Sequence, residues 1–282
     1  MYNVVFESDN GEKFFFGTDG GNVFDMDLGA GVSVDIGTSQ GFLQVGESVH
    51  GRSTAGRPIK VKGVIYQNIQ KEKKRMRKVI SPFSSGRIVF ENEYYTRVFV
   101  KDAPTFSTVK NDGRFSMLLF APFPFFYSVE SKNYEIGKIT PMFSFSVNYE
   151  TPHKFGEKSS ERYKNVVNDG DVAVPFSLFL HSSGKSSNIV VSNLRTAKNL
   201  KINGTINSGD FIRIYRDAEN VLRAELTSSG ETSDILSWID ETSELFELNA
   251  GENLISANDD EGGASLTAKI VFNPAVVALY ES

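Results

Sequence analysis

Short runs in which apolar and polar residues alternate make up most of the chain. In residues 57–66, Ile59, Val61 and Ile65 occupy one side of the alternation, and Lys60 and Lys62 occupy the other. This period of two is typical of an antiparallel strand with one buried face. Comparable runs bounded by turn residues recur in both halves, and we predict strands over residues 3–6, 13–16, 31–36, 57–66, 86–90, 94–101, 106–109, 114–120, 142–149, 172–181, 188–192, 199–202, 210–215, 221–226, 235–239, 245–248, 253–257 and 264–273. The pattern predicts an all-β fold of the sandwich or jelly-roll kind.

One segment departs from the strand pattern. Residues 68–80 are rich in helix formers, and Asn68 is a suitable N-cap. A narrow apolar stripe predicts one buried side, and the following Ser-Pro pair ends the helix. The rest of the helix surface is basic, carrying Lys71, Lys73, Lys74, Arg75, Arg77 and Lys78. We expect this face to be solvated or to lie between subunits, in preference to binding nucleic acid or another acidic partner.

Length and polarity predict two domains. A chain of 282 residues suits about two domains, and a polar stretch at 127–139 follows a Pro-rich turn. We therefore predict an N-terminal β domain over residues 1–130, with the helix near 68–80, and a C-terminal β-sandwich over 131–282. Residues 154–171 are the most polar and are expected to form a long exposed loop.

Composition and charge narrow the functional classes. The absence of Cys excludes disulfides, thiolate catalysis and Cys-ligated zinc. Residues 1–130 have a net charge of +2 and residues 131–282 a net charge of −7, together −5. An acidic second half argues against direct nucleic-acid recognition, because phosphate binding needs a basic surface. The most hydrophobic stretch, 115–127, is too short to span a bilayer, so we expect no membrane partner.

Each candidate catalytic or ligand-binding motif lacks a residue or a partner that its chemistry requires. Residues 51–56 resemble the start of a phosphate loop, but Arg57 and Pro58 follow where Lys and Ser or Thr are required. We interpret this segment as a flexible loop. The histidines, His50, His153 and His181, have no partner at metal-ligand spacing. The acidic stretches 25–29 and 259–263 are interpreted as turns. We predict no catalytic residue, no metal and no cofactor, and no particular carboxylate pair for glycoside hydrolysis is indicated.

Two aromatic residues are the candidate saccharide platform. Trp238 is the sole tryptophan and Tyr215 lies in another predicted strand of the same half. Aromatic rings can stack on sugars, but a single Trp in an apolar run is more often part of the core. A carbohydrate-binding module that mediates attachment to a host surface is therefore the alternative to a purely structural role.

The order of these features resembles the distal tail protein (Dit) family of long-tailed phages of Gram-positive bacteria. The resemblance covers residues 41–127 and includes a Gly-rich approach, a long strand, a basic helix and three further strands. It continues in the second half, most clearly in the Gly-Glu-Asn turn of residues 246–255. The segments that carry it are 46–52, 57–66, 74–77, 85–90, 94–100, 115–120, 124–127 and 246–255.

The resemblance implies a particular architecture and role. It implies an N-terminal β-sandwich that forms a homo-hexameric ring, and a galectin-like C-terminal β-sandwich at the periphery. The ring would join the tail tube protein to the tail-tip fibre or lysin protein, and the outer domain would hold a receptor-binding protein or contact cell-surface saccharide. The implied location is the virion tail tip, after assembly in the host bacterial cytoplasm. No enzymatic activity is expected.

Overall fold

The computed structural model describes residues 3–28, 32–109, 111–137, 139–140, 157–158, 162–217, 219–261 and 265–279. The chain divides into two compact units, one formed by residues 1–130 with 275–282 and the other by residues 131–274. The second domain was expected to extend to residue 282, whereas the chain returns to the first unit at Ala275.

Within the described residues there is one α-helix, α1 (Ile69–Val79), and the all-β fold class is confirmed. Two short 3-10 turns occur at Thr18–Gly20 and Leu236–Trp238. The strands, in chain order, are β1 (Val4–Ser8), β2 (Lys13–Phe16), β3 (Asn22–Asp27), β4 (Val34–Ser39), β5 (Ser48–Thr54), β6 (Arg57–Ile65), β7 (Ser85–Phe90), β8 (Tyr94–Phe106), β9 (Arg114–Ala121), β10 (Phe126–Ser128), β11 (Lys132–Ile136), β12 (Ile139–Thr140), β13 (Glu157–Lys158), β14 (Tyr163–Asn168), β15 (Ser177–Ser182), β16 (Ser186–Asn193), β17 (Lys198–Ile206), β18 (Phe211–Arg216), β19 (Leu222–Ser228), β20 (Glu231–Asp234), β21 (Gly251–Asn258), β22 (Leu266–Phe272) and β23 (Ala275–Val276).

The body of the first unit is one nine-stranded antiparallel sheet. Its main path is β2-β1-β7-β8-β9-β6-β3, with β10 pairing with β8 and β23 pairing with β10. The sheet curls until its end strands approach each other, since the rings of Phe16 on β2 and Phe24 on β3 lie 5.4 Å apart. The predicted alternation in β6 is confirmed, because Ile59 and Val61 are fully buried while the intervening lysines are exposed.

Helix α1 packs against the core enclosed by this sheet. Met76, Val79 and the following Ile80 are buried, as the apolar stripe predicts. Asn68 occupies the N-cap position with a left-handed backbone (φ 47°), but its side chain makes no capping hydrogen bond. The helix therefore owes its position to the buried stripe more than to its cap.

A buried arginine holds the returning C-terminal segment in the first unit. The guanidinium of Arg57 lies 4.9 Å from the ring centre of Phe126 and donates a hydrogen bond to the carbonyl of Val277 at 3.2 Å. Burial lowers the pKa of Arg57 below its ordinary value. The charge thus remains partnered by an aromatic face and a carbonyl, as a buried cation requires.

The second unit is a sandwich of two antiparallel sheets. One has six strands in the order β11-β22-β15-β18-β19-β20, and the other has four in the order β14-β21-β16-β17. Both contribute fully buried aliphatic side chains, such as Leu180 and Ile212 from the first and Val191 and Ile202 from the second. Two facing sheets with alternating inward residues are the arrangement expected of a β-sandwich.

Several local predictions were wrong. Residues 154–171 are not one long loop, because β14 lies within them and buries Val166. Residues 235–239 are not a strand, because Leu236–Trp238 form a 3-10 turn and Ile239 contributes only an isolated bridge with Ile202. Residues 245–248 contribute only an isolated bridge between Leu248 and Val174. The strand predicted at 142–149 lies outside the described residues.

Candidate interaction surfaces

The most exposed part of the first unit is a two-stranded hairpin formed by β4, β5 and the connecting residues 40–47, here called the arm. Every residue of β4 is exposed, and β5 is exposed except for the half-buried Ser48. The two strands pair only with each other. An isolated two-stranded hairpin is marginally stable in water, so the arm lacks the support that the other strands obtain from the core.

The end of the arm presents apolar side chains to solvent. Phe42, Leu43 and Val45 are 97%, 88% and 101% exposed, and we call residues 41–46 the arm tip. Gln44 holds the tip in shape, because its backbone amide donates to the Gly41 carbonyl at 3.1 Å and its side-chain oxygen accepts from the Gly41 amide at 2.9 Å. The polar groups of Gln44 and Gly41 therefore bond to each other, while the apolar side chains of the tip face solvent.

A second site of apolar exposure is the turn between α1 and β7. Phe83 is 103% exposed and has a left-handed backbone with φ 67°. A bulky residue in this region is a true outlier and costs on the order of 1–2 kcal/mol. A strained and fully exposed aromatic residue makes this turn a candidate interaction surface.

The basic face of α1 is partly used within the subunit. Arg75 donates to the Lys13 carbonyl at 3.0 Å, and Lys78 pairs with Glu12. Lys73 is buried, with its ammonium 5.5 Å from the ring centre of Phe106. Lys71 and Lys74 are exposed and have no ion-pair partner within the described part of the chain. The face is thus a solvated helix surface that also ties α1 to β2.

Tyr215 lies in a charged cluster on the six-stranded sheet of the second unit. Its hydroxyl donates to Glu225 at 2.9 Å, and this hydrogen bond to a carboxylate raises the pKa of Tyr215 above its ordinary value. The guanidinium of Arg213 lies 3.8 Å from its ring centre, covering that face of the ring. A cavity of about 320 Å³ adjoins the cluster, with Arg223 and Asp234 among its lining residues.

Trp238 has its own packing neighbours. It lies in the 3-10 turn Leu236–Trp238 and packs against Gly204 of β17, in the four-stranded sheet. A Cβ atom added at Gly204 would come within 2.0 Å of the indole ring. Among the described aromatic residues, no ring contact joins Trp238 to Tyr215. The indole is therefore half-buried against the backbone of β17, and a platform formed by Trp238 and Tyr215 stays a prediction.

Two of the other sequence motifs are parts of ordinary strands, whereas Asp260 and Glu261 lie in a turn as predicted. Residues 51–54 belong to β5, so the phosphate-loop-like segment is not simply a flexible loop. Asp25 and Asp27 lie in β3, opposite Lys62 and Lys60 of β6, and not in a turn. Over the described ranges, no three His, Asp or Glu side chains come together as metal ligands would, and no helix is long and apolar enough to cross a membrane.

The histidines are explained by local hydrogen bonds or fall outside the described ranges. His50 contacts the hydroxyl of Ser39 across the arm. His181 lies with its Nδ1 atom 3.2 Å from the carbonyl of Asp210, a geometry in which the ring nitrogen donates. His153 lies outside the described residues.

Sequence reasoning missed the arm tip and Phe83. A usable signal was present at the tip, where three apolar residues stand between Gly41 and Gly46 with no alternation to bury them. For Phe83, the signal was a Phe at the third position of a Ser-Pro-Phe-Ser turn, where a left-handed backbone favours Gly or Asn. Neither pattern distinguishes an exposed side chain from one that returns to the core.

Comparisons with known proteins give matches only among solved structures. No family model matches the chain, and no curated protein matches it. The crystal structure of the SPP1 Dit (gp 19.1) protein, described as a paradigm of the hub adsorption apparatus in phages that infect Gram-positive bacteria, matches with a TM-score of 0.64 and 12% identity over 98% of this chain and 99% of that one.

Two structures of the phage P2 baseplate in its activated conformation, one with Ca and one with Sr, also match. Their TM-scores are 0.52 and 0.50, with 14% and 13% identity over 96% of this chain and 97% of theirs. Sequence identities this low support a likeness of fold alone. At that level the predicted resemblance is confirmed: along almost its whole length, the chain has the fold of phage Dit and baseplate hub proteins.

Proposed function

We propose that this chain is a distal tail protein, a structural hub of a phage tail tip that assembles as a homo-hexameric ring. The supporting fold likeness includes both units and 98% of the chain. In the proposed role the ring joins the tail tube protein to the tail-tip fibre or lysin protein and carries receptor-binding proteins. The chain would be assembled in the host cytoplasm and reside in the virion.

The arm is the observation that carries the assembly part of the proposal. Its tip exposes three apolar side chains, and its strands receive no support from the core. Apolar patches of this kind on a soluble subunit mark protein–protein contacts. A closed ring of identical copies uses heterologous contacts, in which one surface of each copy meets a different surface of the next. A projecting hairpin supplies one half of such a contact.

The test is the mass of the full chain, alone and mixed with the tail tube and tail-tip proteins. We expect six copies by native mass spectrometry and a ring by negative-stain electron microscopy. A variant in which residues 34–54 are replaced by a short Gly-Ser linker should remain folded and fail to form the ring. Leu194→Ser, at an exposed apolar site in the second unit, is the matched control. A wild-type chain that stays monomeric even in the mixture contradicts the proposal.

A non-enzymatic role is part of the same proposal. It is supported by the likeness to hub and baseplate structures. Incubation of the full chain with purified peptidoglycan should release no soluble fragments, and reproducible release would overturn this part alone.

Saccharide binding by the second unit is the second candidate. It is favoured by the cavity of about 320 Å³ beside Tyr215, which offers an aromatic ring, two carboxylates and a guanidinium. On a glycan array, binding in the millimolar range should be lost in Tyr215→Ala and kept in Trp238→Phe, because Trp238 is not among the residues that line this cavity. Absence of binding by the wild-type chain at millimolar ligand removes this candidate.

A further inference from the structure

A row of charged side chains crosses the outward face of four neighbouring strands in the first unit. Glu7 of β1 has Lys13 of β2 on one side and Arg87 of β7 on the other. Arg97 of β8 is the next member of the row, directly opposite Arg87. Like charges directly opposite each other in a sheet are destabilising. The stability of the sheet therefore does not explain why two arginines are adjacent here.

The row lines an open cavity of about 380 Å³, a volume within the range of about 300–1,000 Å³ that is typical of small-ligand sites. The lining combines the three cations of the row with two carboxylates, Glu7 and Asp9, so its net charge is +1. The basic helix α1 lies beside it, since Arg75 donates to the carbonyl of Lys13 at 3.0 Å. A concave surface with this excess of positive charge attracts anions.

The two carboxylates hold the cations of the cavity in place. Glu7 accepts from the ammonium of Lys13 at 2.5 Å and from the Nε atom of Arg87 at 2.6 Å. Although partial burial opposes it, these two hydrogen bonds hold the pKa of Glu7 below its ordinary value, so the carboxylate stays charged. Asp9 accepts from both terminal amino groups of Arg97, at 3.3 Å and 3.1 Å. The cationic groups are thus ordered before any ligand binds, which lowers the entropic cost of binding.

Arg87 is held in a way that leaves its terminal amino groups available. Its Nε atom donates to Glu7, whereas the terminal amino groups have no hydrogen-bond partner within the described residues. The ring of Tyr95 supports the guanidinium from one face, with its centre 5.5 Å from the guanidinium carbon. A guanidinium fixed in this manner presents a planar fork of N–H groups, which is the geometry that binds two oxygens of one oxyanion.

Tyr95 adds a neutral hydrogen-bond donor to the same cavity. Its ring stacks on Tyr127, with the ring centres 5.8 Å apart, so the side chain is supported from the neighbouring strand. Burial raises the pKa of Tyr95 above its ordinary value, although the charges of Arg87 and Arg97 oppose the shift. The hydroxyl therefore stays protonated at neutral pH and can donate to an anion.

We propose that this cavity binds a phosphate group through the fork of Arg87, the ammonium of Lys13 and the hydroxyl of Tyr95. All three groups are donors, and an ionised phosphate group presents strong acceptor oxygens. The fork alone satisfies both oxygens of a carboxylate, whereas a phosphate has further oxygens for the other two donors. The inference does not rest on the proposed function, because the cavity lies within one copy of the chain, so either can fail without the other.

Isothermal titration calorimetry of the full chain tests the ligand class. Inorganic phosphate, glycerol phosphate and acetate are titrated at one ionic strength, because salt screens exposed charges. We expect both phosphates to bind with millimolar or tighter affinity and acetate to bind about tenfold more weakly or worse. Glycerol phosphate that binds at least as tightly as inorganic phosphate identifies an ester as the ligand, and tighter inorganic phosphate identifies the free ion. Acetate binding as tight as that of the phosphates, or no phosphate binding at millimolar ligand, overturns the proposal.

Substitutions in the same titration test the site. Arg87→Ala should weaken phosphate binding about tenfold or more, because hydrogen bonds to charged groups are the stronger kind. Tyr95→Phe keeps the ring and the ion pairs, so it should fold normally and weaken binding about two- to tenfold. Arg52→Ala, which removes an exposed arginine of the arm, is the matched control and should bind as the wild type does. Urea denaturation checks that each variant is folded, and unchanged binding in folded Arg87→Ala and Tyr95→Phe overturns the proposal.

Discussion

Two hairpins of this chain have similar local structure and opposite surroundings. The β16–β17 hairpin buries Ile189 and Ile202 beneath the facing sheet of the second unit, whereas the arm leaves Ile36 and Val49 exposed. Both contain β-branched residues, and both have one register shift along their pairing. The difference is the presence of a second apolar layer. A strand pattern thus predicts the hairpin but does not reveal whether the covering layer comes from the same chain or from another molecule.

A matched pair of isoleucine substitutions should give the largest contrast. Ile202→Ala is expected to lower the free energy of unfolding by about 2–5 kcal/mol, because it leaves a cavity in a closed core. Ile36→Ala in the arm should change it by less than about 0.5 kcal/mol. Urea denaturation of the isolated subunit measures both, and comparable losses would mean that the arm packs against its own body.

Glycine substitutions in the same two hairpins should give an intermediate contrast. A Cβ atom at Gly204 would collide with Trp238, so Gly204→Ala should cost about 1–3 kcal/mol. Because Trp238 is the only tryptophan, its fluorescence should also move to longer wavelength as the ring is displaced. Gly51→Ala in the arm meets no atom within 4 Å and should change neither quantity. An unshifted emission in Gly204→Ala contradicts the packing described.

A smaller effect is expected when acid protonates Asp240, which contacts the β16–β17 hairpin through Asn203. Hydrogen bonds from the Thr242 hydroxyl, from Asn203 of β17 and from the Thr242 amide lower the pKa of Asp240 to about 2. A lowered pKa gives stability that is present above the ordinary value of 3.8 and is lost as the pH falls toward 2. Asp240→Asn should therefore flatten the stability–pH curve between these values. An unchanged acid limb would show that Asp240 is not held this way.

The smallest effect on the isolated subunit is expected at the arm tip. Phe42→Ser should leave the unfolding free energy within about 0.5 kcal/mol of the wild type, since the ring contacts no core. Its effect should appear only in self-association, measured by sedimentation velocity. A large loss of subunit stability would place Phe42 in the core and remove the basis for the ring contact.

The sequence allowed prediction of the features that depend on local periodicity. The alternation in residues 57–66 correctly identified the buried face of β6, and the stripe containing Met76 and Val79 identified the buried side of α1. Both depend on spacing alone, which tertiary structure preserves. The boundary after residue 130 coincides with the division of the chain, but the return of residues 275–276 does not have a local signature.

The remaining features depend on contacts between distant residues. Trp238 was assigned to a strand because its neighbours are apolar, whereas the lack of a side chain at Gly204 creates the space in which it packs. The exposure of Phe83 depends on a turn held by Ser84 and not on the composition of the segment. The saccharide platform was proposed from residue types, and residue types do not indicate that Trp238 packs against Gly204 of β17 while Tyr215 lies on β18 of the other sheet.

The return of β23 to the first unit has a consequence for synthesis on the ribosome. The strand pairs with β10, and Arg57 binds the segment that follows it, so the first unit lacks an edge strand until Ala275 and Val276 have emerged. All strands of the second unit precede that point. The first unit begins to be synthesised first but is completed last. A chain that terminates anywhere within residues 131–274 leaves the first unit without its last strand. Only chains translated beyond β22 can therefore add this last strand to the first unit.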